Sequence, residues 1–226
     1  LVGIAIMGGL FTTFVQRRVL VLFCFVCILV GCNSDVPTPI SNTRSIGKAG
    51  TIDSHFVTPR AIAANDQKIV VIDKSGRLQL FGPKGTFESS IELELSGTGF
   101  PTGVSIDSDG NIWIADTHQH RILVLDQDGE TKLSFGEYGQ DEGQFLYPTD
   151  IAFGLDNQVY VTEYGGNDRV SVFNHQGQFI RSFGSHGTGQ HQFRRPQSID
   201  VDPSNGNLFI ADSGNHRIVV MSPEGK

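Results

Sequence analysis

Pro101-Thr-Gly-Val-Ser-Ile-Asp107, Ile112-Trp-Ile-Ala-Asp116 and Arg121-Ile-Leu-Val-Leu125 are three short runs rich in β-branched residues, separated by turn-forming residues. The same triplet returns as Pro196-Gln-Ser-Ile-Asp-Val-Asp202, Leu208-Phe-Ile-Ala-Asp212 and Arg217-Ile-Val-Val-Met221. Between them lie Pro148-Thr-Asp-Ile-Ala-Phe153, Val159-Tyr-Val-Thr-Glu163 and Arg169-Val-Ser-Val-Phe173. Upstream come Pro59-Arg-Ala-Ile62, Ile69-Val-Val-Ile-Asp73 and Arg77-Leu-Gln-Leu-Phe81. The prolines are spaced by 42, 47 and 48 residues, and the arginines by 44, 48 and 48. A self-similar period in the forties is the signature of a repeat architecture, so the repeat decides the fold before any single element does.

No stretch after residue 32 keeps a helical period, and short strands divided by turn signals argue for an all-β fold. Ile122-Leu-Val-Leu125 is apolar at every position. A strand of that kind is buried on both faces. Blades packed face to face around an axis bury their strands in this way. The expectation is a β-propeller of four-stranded antiparallel blades over residues 44–226. Four repeats are read, near 56–99, 100–146, 147–194 and 195–226.

The turns that close the units are specific. Asp116-Thr-His-Gln-His-Arg121 and Asp212-Ser-Gly-Asn-His-Arg217 resemble the NHL repeat, named for Asn-His-Leu at this turn. Glu163-Tyr-Gly-Gly-Asn-Asp-Arg169 is longer by one residue, and Asp73-Lys-Ser-Gly-Arg77 is shorter by one. The linkers agree as well: Phe135-Gly136, Gly139, Gln144-Phe145 and Pro148 recur as Phe183-Gly184, Gly187, Gln192-Phe193 and Pro196. Ile46-Gly47, Gly50, His55-Phe56 and Pro59 follow the same pattern, whereas the linker before Pro101 is too short for it. The resemblance implies a propeller whose faces bind proteins or other ligands, usually with six blades. Six units near 47 residues need roughly 280. The expectation is therefore part of a six-bladed parent. The alternative is a closed four-bladed ring in which residues near 40–47 complete the last unit, which stops after its third strand.

At the other end, Arg17 and Arg18 precede Val19–Val30, twelve uninterrupted apolar residues. A basic segment followed by such a run reads as a secretory signal. It is short for a spanning helix, which needs about 20 residues. The run ends Leu29-Val-Gly-Cys32, which resembles a bacterial lipobox. The expectation is a signal peptide over 1–31, lipid attachment at Cys32 and a polar tether over 32–43. The chain would then be anchored in a bacterial cell envelope, on the extracytoplasmic side. Cys24 and Cys27 leave with the signal, so neither disulfides nor thiol catalysis is expected. Loss of Arg17 and Arg18 takes the formal charge from −7 to −9. That charge opposes nucleic-acid binding.

The acid and arginine of each turn, Asp116 with Arg121, Glu163 with Arg169 and Asp212 with Arg217, face each other across a hairpin and are read as structural pairs. The acid is also placed to accept N–H groups of the turn it opens. His118 and His120 form an H-x-H pair inside a turn with no third ligand placed by sequence, so no metal or cofactor is expected. In the resembled family the prolines start the inner strands. That would bring Arg60, Thr102, Thr149, Asp150, Gln197 and Ser198 to the mouth of the central channel as a ligand-binding site. The expected function is a tethered, non-catalytic interaction scaffold. The alternative is a metal-dependent enzyme at the axis, as in propeller lyases and lactonases, although none of the inner runs contains histidine.

Overall fold

A computed structural model describes residues 43–94 and 99–226. The signal, Cys32 and nearly all of the tether lie outside the described residues. The folded body runs from Ile46 to Lys226. It is all-β and consists of four blades.

The first blade holds β1 (Pro59–Ala64), β2 (Ile69–Asp73), β3 (Arg77–Phe81) and β4 (Phe87–Glu92). The second holds β5 (Gly103–Ile106), β6 (Ile112–Asp116), β7 (Arg121–Leu125) and β8 (Thr131–Phe135). The third holds β9 (Tyr147–Phe153), β10 (Val159–Tyr164), β11 (Arg169–Phe173) and β12 (Phe179–Phe183). The fourth has three strands, β13 (Pro196–Val201), β14 (Leu208–Asp212) and β15 (Arg217–Met221). Strand order follows chain order in every sheet, and all pairs are antiparallel. The first strands lie innermost and side by side, β1 against β5, β5 against β9 and β9 against β13.

The unbroken apolar runs follow from this stacking. In β6, Ile112 and Ile114 enter the layer shared with the first blade, while Trp113 and Ala115 enter the layer shared with the third. A strand between two neighbours has no solvent face, so the usual alternation of polar and apolar residues disappears. Tyr160, Val170 and Val172 make the corresponding layer with Ile199, Leu208 and Ile210. The fourth blade breaks the series. Ile218 and Val220 are 63% and 53% exposed, against 0% and 2% for Ile122 and Val124 at the same repeat positions.

The Phe-Gly of the linker has a steric cause. Gly136 takes φ of +92°, and a Cβ there would lie 2.5 Å from the ring of Phe145. Gly184 repeats this against Phe193. Only glycine lets the chain turn left-handed while an aromatic ring lies against its backbone. Ile46, just before Gly47, packs against the β3–β4 turn, where a Cβ on Gly85 would meet it at 2.3 Å. Phe135 and Phe183 stand in the same way against Gly177 and Gly225 of the following blades. Ile46 therefore lies against the first blade, and among the described residues no strand pairs with the free edge of β15.

Candidate functional site

The acid–arginine pairs are formed in register. Arg121 Nε lies 3.0 Å from Asp116 Oδ2, Arg169 Nε 2.6 Å from Glu163 Oε1 and Arg217 Nε 2.8 Å from Asp212 Oδ2. The rest of the guanidinium does something that hairpin geometry alone does not foretell. Arg169 also donates to the carbonyls of Gln140, Asp141 and Gln144, each at 3.1 Å. Arg217 donates likewise to Thr188, Gly189 and Gln192. Each of these arginines thus clips the incoming linker to the blade it feeds. The acid also reaches the linker: Glu163 accepts from Leu146 N–H and Asp212 from Arg194 N–H, in addition to the side-chain amides of Asn167 and Asn215 in their own turns. In the first unit Asp73 accepts the Ser75 N–H of its turn as well as the Val57 N–H of the linker. Among the described residues Arg121 bonds to Asp116 alone.

The residues placed at the axis divide. Thr149 is buried and its hydroxyl bonds to Thr162 and to the carbonyl of Pro196. Thr102 Oγ1 donates to the Thr149 carbonyl at 2.9 Å, and Ser105 Oγ to Ile151 at 2.6 Å. These hydroxyls are struts between neighbouring inner strands, so Thr102 and Thr149 do not present free groups to a channel ligand. Arg60 lines a separate apolar groove on the first blade with Ile46, Phe56 and Phe81. Gln197 is half-buried, and its side-chain nitrogen is buried without a hydrogen-bond partner among the described residues. Asp150 and Ser198 do line an axial cavity of about 520 Å³, together with Asp200. Asp150 Oδ2 accepts from Ser198 Oγ at 2.6 Å and from Ile199 N–H at 3.1 Å. Burial pushes its carboxyl above the ordinary range, the hydrogen bonds pull the other way, and the Asp200 charge adds to the rise.

Sequence reasoning overlooked the loop face beside this axis. Tyr147 stacks on Tyr164 with centroids 5.1 Å apart and planes at 19°. His118 meets Tyr147 edge-on at 6.0 Å, and the Arg195 guanidinium sits 5.2 Å from the Tyr164 ring centroid. His120 touches both Tyr138 and Tyr147, and its Nδ1 is engaged by the Leu146 carbonyl. This row crosses from the second blade to the fourth. Tyr164 and Arg195 sit where the repeat is irregular, in the longer third turn and before the fourth inner strand, and that irregularity was the available signal. Among the described residues no three His, Cys, Asp or Glu side chains group closely enough to hold a metal ion.

A model of the NHL repeat matches residues 98–125 and 193–221. Protein brain tumor of Drosophila melanogaster is 42% identical over 52 residues, which is 23% of this chain and 5% of that protein. A probable peptidyl-alpha-hydroxyglycine alpha-amidating lyase of Caenorhabditis elegans is 30% identical over 74 residues, 31% of this chain and 21% of that protein. The chain therefore spans only a small part of these curated relatives. In three dimensions it is similar to a catalytically inactive virginiamycin B lyase of Staphylococcus aureus, with a TM-score of 0.59 and 20% identity. That likeness covers 75% of this chain and 54% of the lyase, and at this identity it is a likeness of fold.

Proposed function

This chain is an NHL-repeat β-propeller, and from that premise we propose that it is a non-catalytic binding scaffold. It is anchored through a lipid on Cys32 on the extracytoplasmic side of a bacterial membrane, and it offers one face of loops to a protein or other ligand. The observation that carries this reading is the row His118, Tyr147, Tyr164 and Arg195. Aromatic and arginine side chains gathered on one face are the residue types that anchor interfaces. The polar groups nearest the axis support the same reading, because Thr102, Ser105 and Thr149 are engaged in holding blades together.

The test places a photo-crosslinker at Tyr138, which is 67% exposed, in the full-length protein in intact envelopes. One specific adduct is expected, and it should disappear when Tyr147→Ala and Tyr164→Ala are combined. An adduct that survives the double substitution moves the site elsewhere, and no adduct at all counts against the scaffold. Palmitate labelling lost in Cys32→Ser is the expected sign of the anchor.

A second reading, a lyase, is favoured by the similarity to the amidating lyase and by the shared fold with virginiamycin B lyase. The axis fits a histidine-held metal poorly. The four inner strands contain no histidine, and Asp150 is already bonded to Ser198 and Ile199. Turnover of a peptidyl-alpha-hydroxyglycine by the full-length protein would establish the lyase instead.

A further inference from the structure

The repeat is broken twice, and the two breaks meet. The third turn carries an extra residue and places Gly165 and Gly166 at φ of +105° and +125°. In that turn Asp168 stands where the second and fourth units have His120 and His216, all three with positive φ. The second break precedes the fourth inner strand. Val57-Thr58 and Leu146-Tyr147 lead into Pro59 and Pro148, but Arg194-Arg195 leads into Pro196. Tyr164, Asp168, His186, Arg194 and Arg195 line one cleft of about 500 Å³ between these segments.

The cleft is held in place from behind. Arg195 has φ of +53°, a left-handed conformation that is costly for a non-glycine residue and persists only where its surroundings enforce it. Here Asp168 Oδ1 accepts its N–H at 3.0 Å, and Ser213 Oγ donates to its carbonyl at 2.7 Å. Asp212 fixes the Arg194 N–H at 2.7 Å. The other oxygen of Asp168 is engaged by His186 Nδ1. With its backbone pinned, each arginine is left with an exposed side chain, and neither guanidinium is ion-paired to a described residue. Arg195 lies over Tyr164, which is itself stacked on Tyr147.

We propose that this cleft binds a ring-bearing carboxylate, with Arg194 and Arg195 taking the carboxylate and the Tyr164 side chain taking the flat or apolar face of the ring. A guanidinium fork matches a carboxylate in geometry and charge. The cavity is within the size range of small-molecule sites and roomy for a bare phosphate. The net charge of −7 disfavours a polyanion. The acidic residue of a saccharide and a free aromatic acid share this chemistry.

The full-length protein would be titrated calorimetrically with glucuronate, benzoate, inorganic phosphate and glucose. Glucuronate or benzoate is expected to bind and glucose to be silent; which of the two acids binds tighter assigns the source. Arg195→Ala and Arg194→Ala should each weaken that binding by about tenfold or more. Tyr164→Ala should weaken the ring acids and leave phosphate unchanged. Thermal melts confirm that each variant is folded, and Arg195→Lys, which keeps the charge but not the fork, should fall in between. Glucose binding as well as glucuronate, phosphate binding tighter than either acid, no binding of either acid, or acid binding untouched in both arginine variants would overturn the proposal. Protein capture at the loop face can fail without affecting this result, and the converse also holds.

Discussion

Asp107 accepts hydrogen bonds from Trp113 Nε1 and Asn111 Nδ2, both at 2.8 Å, and from the N–H groups of Asn111 and Asp109. Burial raises its pKa, but the hydrogen bonds from Asn111, Trp113 and Asp109 outweigh burial and hold it below the ordinary carboxylate value. Its stabilising contribution is complete above the unfolded-state pKa of 3.8 and is lost as pH falls through the lower folded value. Asp107→Ala leaves the buried indole N–H of Trp113 and the side-chain N–H of Asn111 unpaired, and it should cost about 2–4 kcal/mol in denaturant melts at neutral pH. Asp150 has the opposite sign. Its folded pKa is raised, so the unfolded state releases the proton first and stability declines as pH climbs through the interval above 3.8. A carboxyl NMR titration should place Asp150 above ordinary aspartates, and Asp200→Asn should bring it down. An unshifted midpoint in the wild-type protein would contradict the buried environment described here. Asp150 was legible in the sequence because it follows a repeated proline. Asp107 was not, because an aspartate before a Gly-Asn turn looks generic until strand register brings Trp113 back to it.

At the scale of the element, the unit of construction is a hairpin clipped to the linker before it. The acid–arginine spacing was readable from the repeat, because the two residues face each other in a ladder. The reach of Arg169 and Arg217 back to linker carbonyls 25 to 29 residues upstream was not readable, since it depends on how the linker folds. The clip predicts a ranking. Arg169→Ala strips a fully buried Glu163 of its partner together with three linker bonds, and it should cost about 3–5 kcal/mol. Arg121→Ala loses one partly exposed pair and should cost about 1–2 kcal/mol. Chemical denaturation of the two variants side by side decides the matter, and equal losses would remove the linker from the explanation. The extra residue of the third turn was visible as an irregular length. Its consequence, a cleft against the Arg194–Arg195 segment, required the neighbouring blade.

For the whole molecule, four repeats gave four blades, and the doubly apolar strands correctly foretold blade-on-blade packing. What the pattern could not say is which apolar residues remain uncovered, because all copies look alike in sequence. Phe209, Ile218 and Val220 of the fourth blade occupy the positions at which Trp113, Ile122 and Val124 are buried. Contiguous apolar surface of this kind promotes association. The purified chain should therefore sediment faster with rising concentration, and Ile218→Thr combined with Val220→Thr should reduce that dependence. A concentration-independent wild-type protein would mean that the exposed layer does not associate.

The shared layers also set the order in which the molecule comes apart. Each blade is held by its immediate neighbours alone, so the array resembles a short one-dimensional chain of coupled units. Ile218 and Val220 of β15 are exposed where Ile122 and Val124 of β7 are covered, so amide protons of β14 and β15 should exchange with solvent before those of β6, β7, β10 and β11. The cleft between the third turn and Arg194–Arg195 straddles the seam between the third and fourth blades. An occupant there would act as a staple, slowing exchange in the fourth blade without touching it anywhere else.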